Sequence, residues 1–230
     1  MMASRNPDIP DLLSETLSGG DLPSANVSLA LLARAKQGDD LALHELLLRY
    51  QERLRRIVRI QLGGSSLRRD YDSMDFVQDT FLAALPKIRE LEPRSAASLL
   101  HWLAIIATNR LRDAYEHQHA AKRDVRHRQP ITHSVTEGIA QLGPGPTDRL
   151  GLQELRELLD AEVARLPEEQ RRVVMLRDYC GESWARIARE LHRRSAAARQ
   201  LHQRAWIRLR RALRPILADR DHNEEPSNNS

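Results

Sequence analysis

The stretch SWARIAREL (183–191), followed by HRR (192–194) and SAAARQLHQRAWIRLRRALRP (195–215), decides the fold of the C-terminal part of the chain. Ser183 and Ser195 each stand where the N-cap of a helix is expected. Behind them, apolar residues recur at helical spacing, namely Trp184, Ile187, Ala188 and Leu191 in the first segment and Ala198, Leu201, Ala205 and Leu209 in the second. Because only three residues separate the two patterns, the stretch predicts a helix-turn-helix.

The second of these helices is strongly basic. Eight arginines and no acidic residue lie between His192 and Ala218. One interpretation is a solvated outer face, but such faces usually carry acids that pair with the bases four residues away. Since no acid stands in this run, the repulsion among the arginines must be relieved from outside. The pattern therefore favours contact with DNA, whose major groove admits a basic helix.

Composition limits the remaining possibilities. The chain has 230 residues, with 36 Lys and Arg against 32 Asp and Glu, and several acids follow the basic run at the extreme C-terminus. Aromatic residues make up only 4%, which favours helices over sheets. A single cysteine, Cys180, excludes an intramolecular disulfide and suits a reducing compartment. The N-terminus lacks the pattern of a signal peptide, and no apolar run is long enough to span a membrane. We expect a cytoplasmic protein.

Helical periodicity and breaks in it predict an all-α fold of two small helical domains joined by a flexible linker. The linker is predicted because Gln129-Pro130 and Gly143-Pro-Gly-Pro146 bracket a segment with little periodicity. The predicted divisions are a disordered tail at 1–26, a first domain at 27–128, the linker at 129–148, a helix-turn-helix domain at 149–216 and a second disordered tail at 217–230.

Two segments of the first domain carry further information. Asp75, Gln78 and Asp79 fall on one surface of a predicted helix that Pro86 ends, although acids at this spacing are also ordinary surface residues. Downstream, the run from Trp102 to Arg110 is equally compatible with a plain core helix.

Taken in order, these segments resemble a sigma-70-type initiation factor of the extracytoplasmic-function class. Asp75-Phe-Val-Gln-Asp-Thr-Phe81 resembles the helix that binds core polymerase. Trp102-Leu103, Ile106-Ala107, Asn109 and Asp113 fit the helix that melts and reads the promoter −10 element. The segment from Leu166 to Leu209 resembles the sigma-4 domain, which reads the −35 element, whereas 27–128 resembles the sigma-2 domain.

The resemblance implies a sigma factor that directs bacterial RNA polymerase to promoters. Its implied partners are the RNA polymerase core, promoter DNA and an anti-sigma factor. Core polymerase would contact Asp75, Gln78 and Asp79. The implied DNA-binding residues are Asn109, Arg110, Arg112, Lys122, Arg123, Ser195, Arg199, Gln200, Gln203, Arg204, Arg208 and Arg211. Of these, Arg199, Gln200, Gln203 and Arg204 lie opposite the inner stripe and are expected to enter the major groove.

The sequence predicts no enzyme, cofactor or metal site. His117 and His119 fall on different faces of a helix and are interpreted as surface residues, and Cys180 as a packed thiol. Two alternatives to a sigma factor remain. One is a helix-turn-helix transcriptional regulator that acts without binding core polymerase. The other is a helical protein that sequesters a sigma factor.

Overall fold

A computed structural model describes residues 25–63, 72–88, 90–92, 95–126 and 148–223. Its elements are all helical, which confirms the predicted fold class. They are α1 (Ala25–Lys36), α2 (Asp40–Leu62), α3 (Ser73–Ile88), α4 (Ala96–Arg126), α5 (Asp148–Ala164), α6 (Glu168–Val174), a π-helical turn (Met175–Tyr179), α7 (Trp184–Glu190) and α8 (Ser195–Asn223).

Helix α2 is the centre of the first half, and α1, α3 and α4 pack around it. Its start is fixed by Asp39, whose side chain accepts a hydrogen bond of 2.9 Å from the Ala42 amide. That bond, and then the Arg34 guanidinium, hold the pKa of Asp39 below its usual range. Farther along, Tyr50 is fully buried and donates its hydroxyl to the Ala96 carbonyl at the start of α4. Local capping and a buried core therefore act together to orient the four helices.

Several boundaries differ from those predicted. Helix α3 continues through Pro86 to Ile88, and α8 continues through Pro215 to Asn223 instead of ending at 216. Proline cannot donate to the carbonyl four residues earlier. In both helices that carbonyl belongs to an exposed residue, Leu82 or Arg211, so water can satisfy it. The prediction of a disordered tail from 217 was therefore wrong for the residues up to 223.

The predicted N-terminal tail and linker fall almost wholly outside the described residues. Helix α1 already includes residues 25 and 26, and α5 begins at Asp148, the last residue assigned to the linker. Helices α1–α4 span Ala25–Arg126, against a first domain that was predicted at 27–128, and residues 127 and 128 lie outside the described residues.

The two halves share one hydrophobic core. Buried residues of α2 and α4 form a continuous cluster with buried residues of α5, α6, the π-helical turn and α8. Leu54 and Ile57 on α2 and Leu159 and Val163 on α5 belong to it, and each is fully buried. Helix α5 of the second predicted domain therefore packs directly on α2 of the first.

A buried charged contact joins the halves across this core. The Arg56 guanidinium donates from Nη2 to Asp160 Oδ1 at 2.8 Å, and both side chains are almost completely buried. Arg59 donates to the other carboxylate oxygen at 2.9 Å. The Tyr179 hydroxyl donates to Asp160 Oδ1 at 2.7 Å, and the Arg56 guanidinium lies 4.9 Å from the centre of the Tyr179 ring. Burial, and then the Asp160 carboxylate, raise the pKa of Tyr179 well above its ordinary value, so the phenol remains a donor.

Gly63 shows how closely the halves approach. Its φ of −55° is one that any residue adopts, so the glycine is not needed to end α2 with a left-handed residue. A Cβ at this position would lie 2.7 Å from the Ala164 Cβ at the end of α5. The glycine is therefore required by the close contact between α2 and α5.

A second polar contact crosses between the halves at the end of the core. His101 Nδ1 on α4 lies 3.2 Å from Glu182 Oε1, just before α7, and both side chains are buried. The hydrogen bond from His101 is the main cause that lowers the pKa of Glu182. This contact links Glu182, the second residue before α7, to α4.

We predict that Asp160→Asn lowers the free energy of unfolding by about 3–5 kcal/mol, because it removes the carboxylate charge that pairs with the buried Arg56 guanidinium. Glu45→Gln is the matched control, since it breaks the exposed Glu45–Arg49 pair on α2, the helix that also carries Arg56. That change is expected to cost less than about 0.5 kcal/mol. Urea unfolding followed by circular dichroism measures both. Equal losses of unfolding free energy in the two variants would show that the buried contact stabilises the fold no more than the exposed pair does.

Candidate DNA-binding and polymerase-binding surfaces

The helix-turn-helix consists of α7 and α8. Ser183 caps α7, as predicted, by accepting a hydrogen bond from the Arg186 amide at 3.3 Å. The turn is closed by His192, which has a φ of 52° in the left-handed region. Its amide donates to the Arg189 carbonyl, and the Arg193 amide donates to the Ala188 carbonyl at 2.8 Å. This pair of bonds is a Schellman motif, which stops α7 and redirects the chain so that α8 begins at Ser195.

Helix α8 has an inner and an outer face. Ala198, Ala205, Leu209 and Leu213 are buried, which confirms three of the four predicted inner positions, and Leu201 is half-buried. Ser195 is half-buried at the start of the helix. The outer face exposes the residues expected to meet DNA, namely Arg199, Gln200, Gln203, Arg204, Arg208 and Arg211. Small alanines on the inner face let α8 approach α6 and α7 closely and keep the longer polar side chains outside.

The acids that relieve the charge of this region come from other helices. Arg193, in the turn, pairs with Glu169 on α6 at 2.5 Å. Within the described part of the chain, none of Arg199, Arg204, Arg208 and Arg211 forms an ion pair. The outer face of α8 therefore keeps its positive charge in solution. Such a face attracts the phosphates of a nucleic acid and releases their counterions on binding.

A polar cluster behind α8 was not predicted from the sequence. His202 Nε2 lies 2.7 Å from Asp178 Oδ2 in the π-helical turn, and Trp206 Nε1 lies 3.2 Å from the same oxygen. Trp206 Nε1 also lies 2.9 Å from His202 Nε2, so the carboxylate, the imidazole and the indole N–H form one polar cluster. The four-residue spacing of His202 and Trp206 on a helix was the signal that could have indicated a shared partner.

The predicted polymerase-binding residues lie together on α3. Asp75, Gln78 and Asp79 are all exposed, whereas Phe76, Val77 and Thr80 are buried. Leu82 continues the same exposed line one turn later and is 65% exposed. The surface therefore combines two carboxylates, an amide and an apolar side chain on one helical stripe.

Asp75 has a structural task in addition. Its Oδ2 accepts a hydrogen bond from the Asp72 amide at 3.3 Å, and Asp72 Oδ1 accepts one from the Met74 amide. Asp72 is thus the N-cap of α3, and Asp75, the third residue of the helix, accepts from the N-cap amide as in a capping box. The hydrogen bond from Met74 is the main cause that lowers the pKa of Asp72. Substitutions of Asp75 therefore disturb the helix end as well as the exposed surface.

The predicted −10 residues occupy the solvent side of α4. Asn109, Arg110 and Arg112 are exposed, whereas Ala107 before them and Leu111 between Arg110 and Arg112 are buried. The helix is fixed next to them, because Gln61 on α2 donates to Thr108 Oγ1 at 3.0 Å. Lys122 and Arg123 lie in α4, but their side chains are outside the described part.

Among the described residues, no helix is long and apolar enough to cross a membrane. No curated protein matches the sequence. Solved structures similar to this chain include CnrH in complex with the cytosolic domain of CnrY (24% identity, covering 82% of this chain and 98% of that one, TM-score 0.47) and the RsbN–BldN complex (23% identity, covering 79% of this chain and 99% of that one, TM-score 0.27). Both TM-scores are below 0.5, so these overlays carry no weight in the assignment.

Two protein-family models match the sequence and identify its family. The model of sigma-70 region 2 matches residues 46–121, which include the exposed line of α3 and most of α4. The model of sigma-70 region 4 matches residues 156–213, which include the helix-turn-helix. Together the two models match more than half of the chain, in the order that the motifs predicted. The chain belongs to the sigma-70 family of transcription initiation factors, in the extracytoplasmic-function class that its sequence resembles.

Proposed function

We propose that this sigma factor reads the −35 element with the outer face of α8, reads the −10 element with α4 and binds core polymerase through the exposed line of α3. The observation that carries the proposal is the outer face of α8. Its exposed arginines and glutamines lie opposite a buried stripe of alanines and leucines, without an acidic neighbour on the same helix up to Ala218.

The first turns of α8 are suited to base recognition. Recognition helices contact base edges mainly with their N-terminal residues. Arg199 can donate two hydrogen bonds to a guanine, and Gln200 or Gln203 can form a paired contact with an adenine. Arg208 and Arg211, farther along, are placed for phosphate contacts that set the register without reading sequence. We therefore assign specificity to the start of α8 and general affinity to its later turns.

The exposed residues of α4 are suited to a different task. Asn109, Arg110 and Arg112 follow a buried stripe that holds the helix against α2. Capture of a base outside the duplex costs a few kcal/mol of unstacking, which hydrogen bonds from such polar side chains can offset. We propose that these residues bind the −10 strand, and that Lys122 and Arg123 extend the same basic surface.

The remaining parts of the proposal follow from the family. A factor that meets polymerase and DNA acts in the cytoplasm, and it needs no catalytic group of its own because it positions another enzyme. An anti-sigma factor is the third partner that the family resemblance implies. The main alternative, a helix-turn-helix regulator that never binds core polymerase, leaves the exposed line of α3 without a role.

Asp79→Lys is expected to weaken association with core polymerase at least about tenfold, because reversed charge meets basic groups of the partner. Asp79 is preferable to Asp75, whose carboxylate also caps α3. Glu92→Lys is the control, since it makes the same charge change on an exposed residue after the end of α3. Co-elution with purified core polymerase measures the effect. If Asp79→Lys and Glu92→Lys bind equally well, α3 is not the polymerase-binding surface. If the wild type itself fails to bind, the regulator alternative is favoured.

Arg199→Ala and Arg211→Ala are expected to differ in kind. The first should lose about 1–3 kcal/mol of discrimination at one base pair of the −35 element. The second should weaken binding to every sequence alike. It should also reduce the slope of log affinity against log salt concentration by about one. Binding of the holoenzyme to promoter duplexes with single-base-pair substitutions measures both. Identical profiles of the two variants would contradict the proposed orientation of α8.

A further inference from the structure

Trp184 occupies an unexpected position beside the proposed base-reading residues. It is the first residue of α7, and its side chain is half-buried, although the sequence placed it on the inner stripe. One part of the ring packs against the hydrophobic core. Two guanidinium groups lie over the ring, that of Arg199 at 5.7 Å from a ring centre and that of Arg177 at 5.0 Å. Both distances are within the range of cation–π contacts.

The Trp184 ring is held in place by a further aromatic contact. His202 meets it edge to face, with ring centres 5.3 Å apart and planes at 82°. His202 is fixed in turn by its 2.7 Å hydrogen bond to Asp178, which also accepts from Trp206. On the other side, Arg177 donates to the Glu182 carbonyl at 2.9 Å, so that guanidinium is anchored independently of DNA. The position of Trp184 therefore follows from contacts with the π-helical turn and with α8.

Arg199 differs from Arg177 in one respect. It is exposed and, among the described residues, forms no ion pair, so the Trp184 ring is the contact that restrains its guanidinium. A long arginine side chain loses rotational freedom when a base orders it, and this loss weakens binding. A guanidinium already restrained over a ring loses less, and it presents its paired donors to guanine in a narrower range of orientations.

We propose that Trp184 is a positioning residue for Arg199, and that it sharpens discrimination at the base pair that Arg199 reads. The inference rests on the proposed base-reading role of Arg199. Trp184 itself needs no contact with DNA for this task. The contact crosses from α7 to the first turns of α8, so it also makes base reading depend on the correct angle between the two helices of the motif.

The test compares Trp184→Leu, which keeps an apolar side chain but removes the aromatic face, with Trp184→Tyr, which keeps an aromatic face. Each full-length variant is assembled with core polymerase. The DNA is the −35 duplex that the wild-type holoenzyme recovers from a randomised library, together with its single-base-pair substitutions. Thermal unfolding followed by circular dichroism shows whether each variant keeps its fold.

Trp184→Leu is expected to reduce discrimination about two- to five-fold at the one base pair that Arg199→Ala identifies, which is the range of an exposed cation–π contact. Trp184→Tyr should retain most of that discrimination. In the Arg199→Ala background, Trp184→Leu should cause no further loss at that base pair, because the side chain that it positions is absent.

Two results would overturn the inference alone. One is a Trp184→Leu effect of equal size at all base pairs, and the other is an undiminished effect in the Arg199→Ala background. In both, Arg199→Ala still shows its own base-specific loss, so the proposed function stands. Absence of any base-specific loss in Arg199→Ala would overturn the proposed reading by α8, and this inference with it. If Trp184→Leu unfolds, a loss of discrimination in the folded Trp184→Tyr variant as large as in Arg199→Ala would likewise reject it.

Discussion

The contact between Arg56 and Asp160 is the constraint on which the rest of the structure depends. A buried guanidinium needs a buried carboxylate, and here the partner lies on a helix 104 residues later. The same carboxylate accepts hydrogen bonds from Arg59 and Tyr179, so one side chain fixes α2, α5 and the π-helical turn relative to one another. Because charges this deep are stable only when paired and hydrogen-bonded, the contact specifies one arrangement of the two halves.

This arrangement separates the parts of the molecule that support the fold from those that meet partners. The π-helical turn carries Tyr179 toward the first half and Asp178 toward His202 on α8. The position of the recognition helix is therefore linked, through two adjacent residues, to the buried contact between the halves. The residues proposed to meet polymerase and DNA are exposed on α3, α4 and α8, where changes in sequence leave the core intact. Such a division allows binding specificity to vary on a constant frame.

Local patterns predicted the helices and their exposed faces. The periodicity of apolar residues indicated α7 and α8, and Ser183 marked the start of α7, because capping and amphipathic spacing act over a few residues. The family models confirmed the order of the motifs. The roles of individual exposed residues stay predictions, since exposure shows availability and not what a residue binds.

Contacts between distant residues could not be predicted in this way. Asp160 looks like any acid on a helix, and nothing near it in sequence indicates Arg56 as its partner. The need for glycine at position 63 arises from the approach of Ala164, which lies in the other half. Asp75 was assigned to a binding surface, while its hydrogen bond to the Asp72 amide became visible only in three dimensions. The composition of the linker likewise could not show that α5 packs on α2, because it describes a connection and not what its ends pack against.

The claim that the two halves form one cooperative unit is tested most directly by unfolding the chain in urea with one probe in each half. Fluorescence of Trp102, in a variant with Trp184→Phe and Trp206→Phe, reports the first half. Alkylation of Cys180 reports the second, because burial raises the pKa of this thiol to about 12 and keeps it unreactive while folded. The shared core predicts that both probes change at the same urea concentration. Alkylation of Cys180 at urea concentrations that leave Trp102 in its native environment would contradict it.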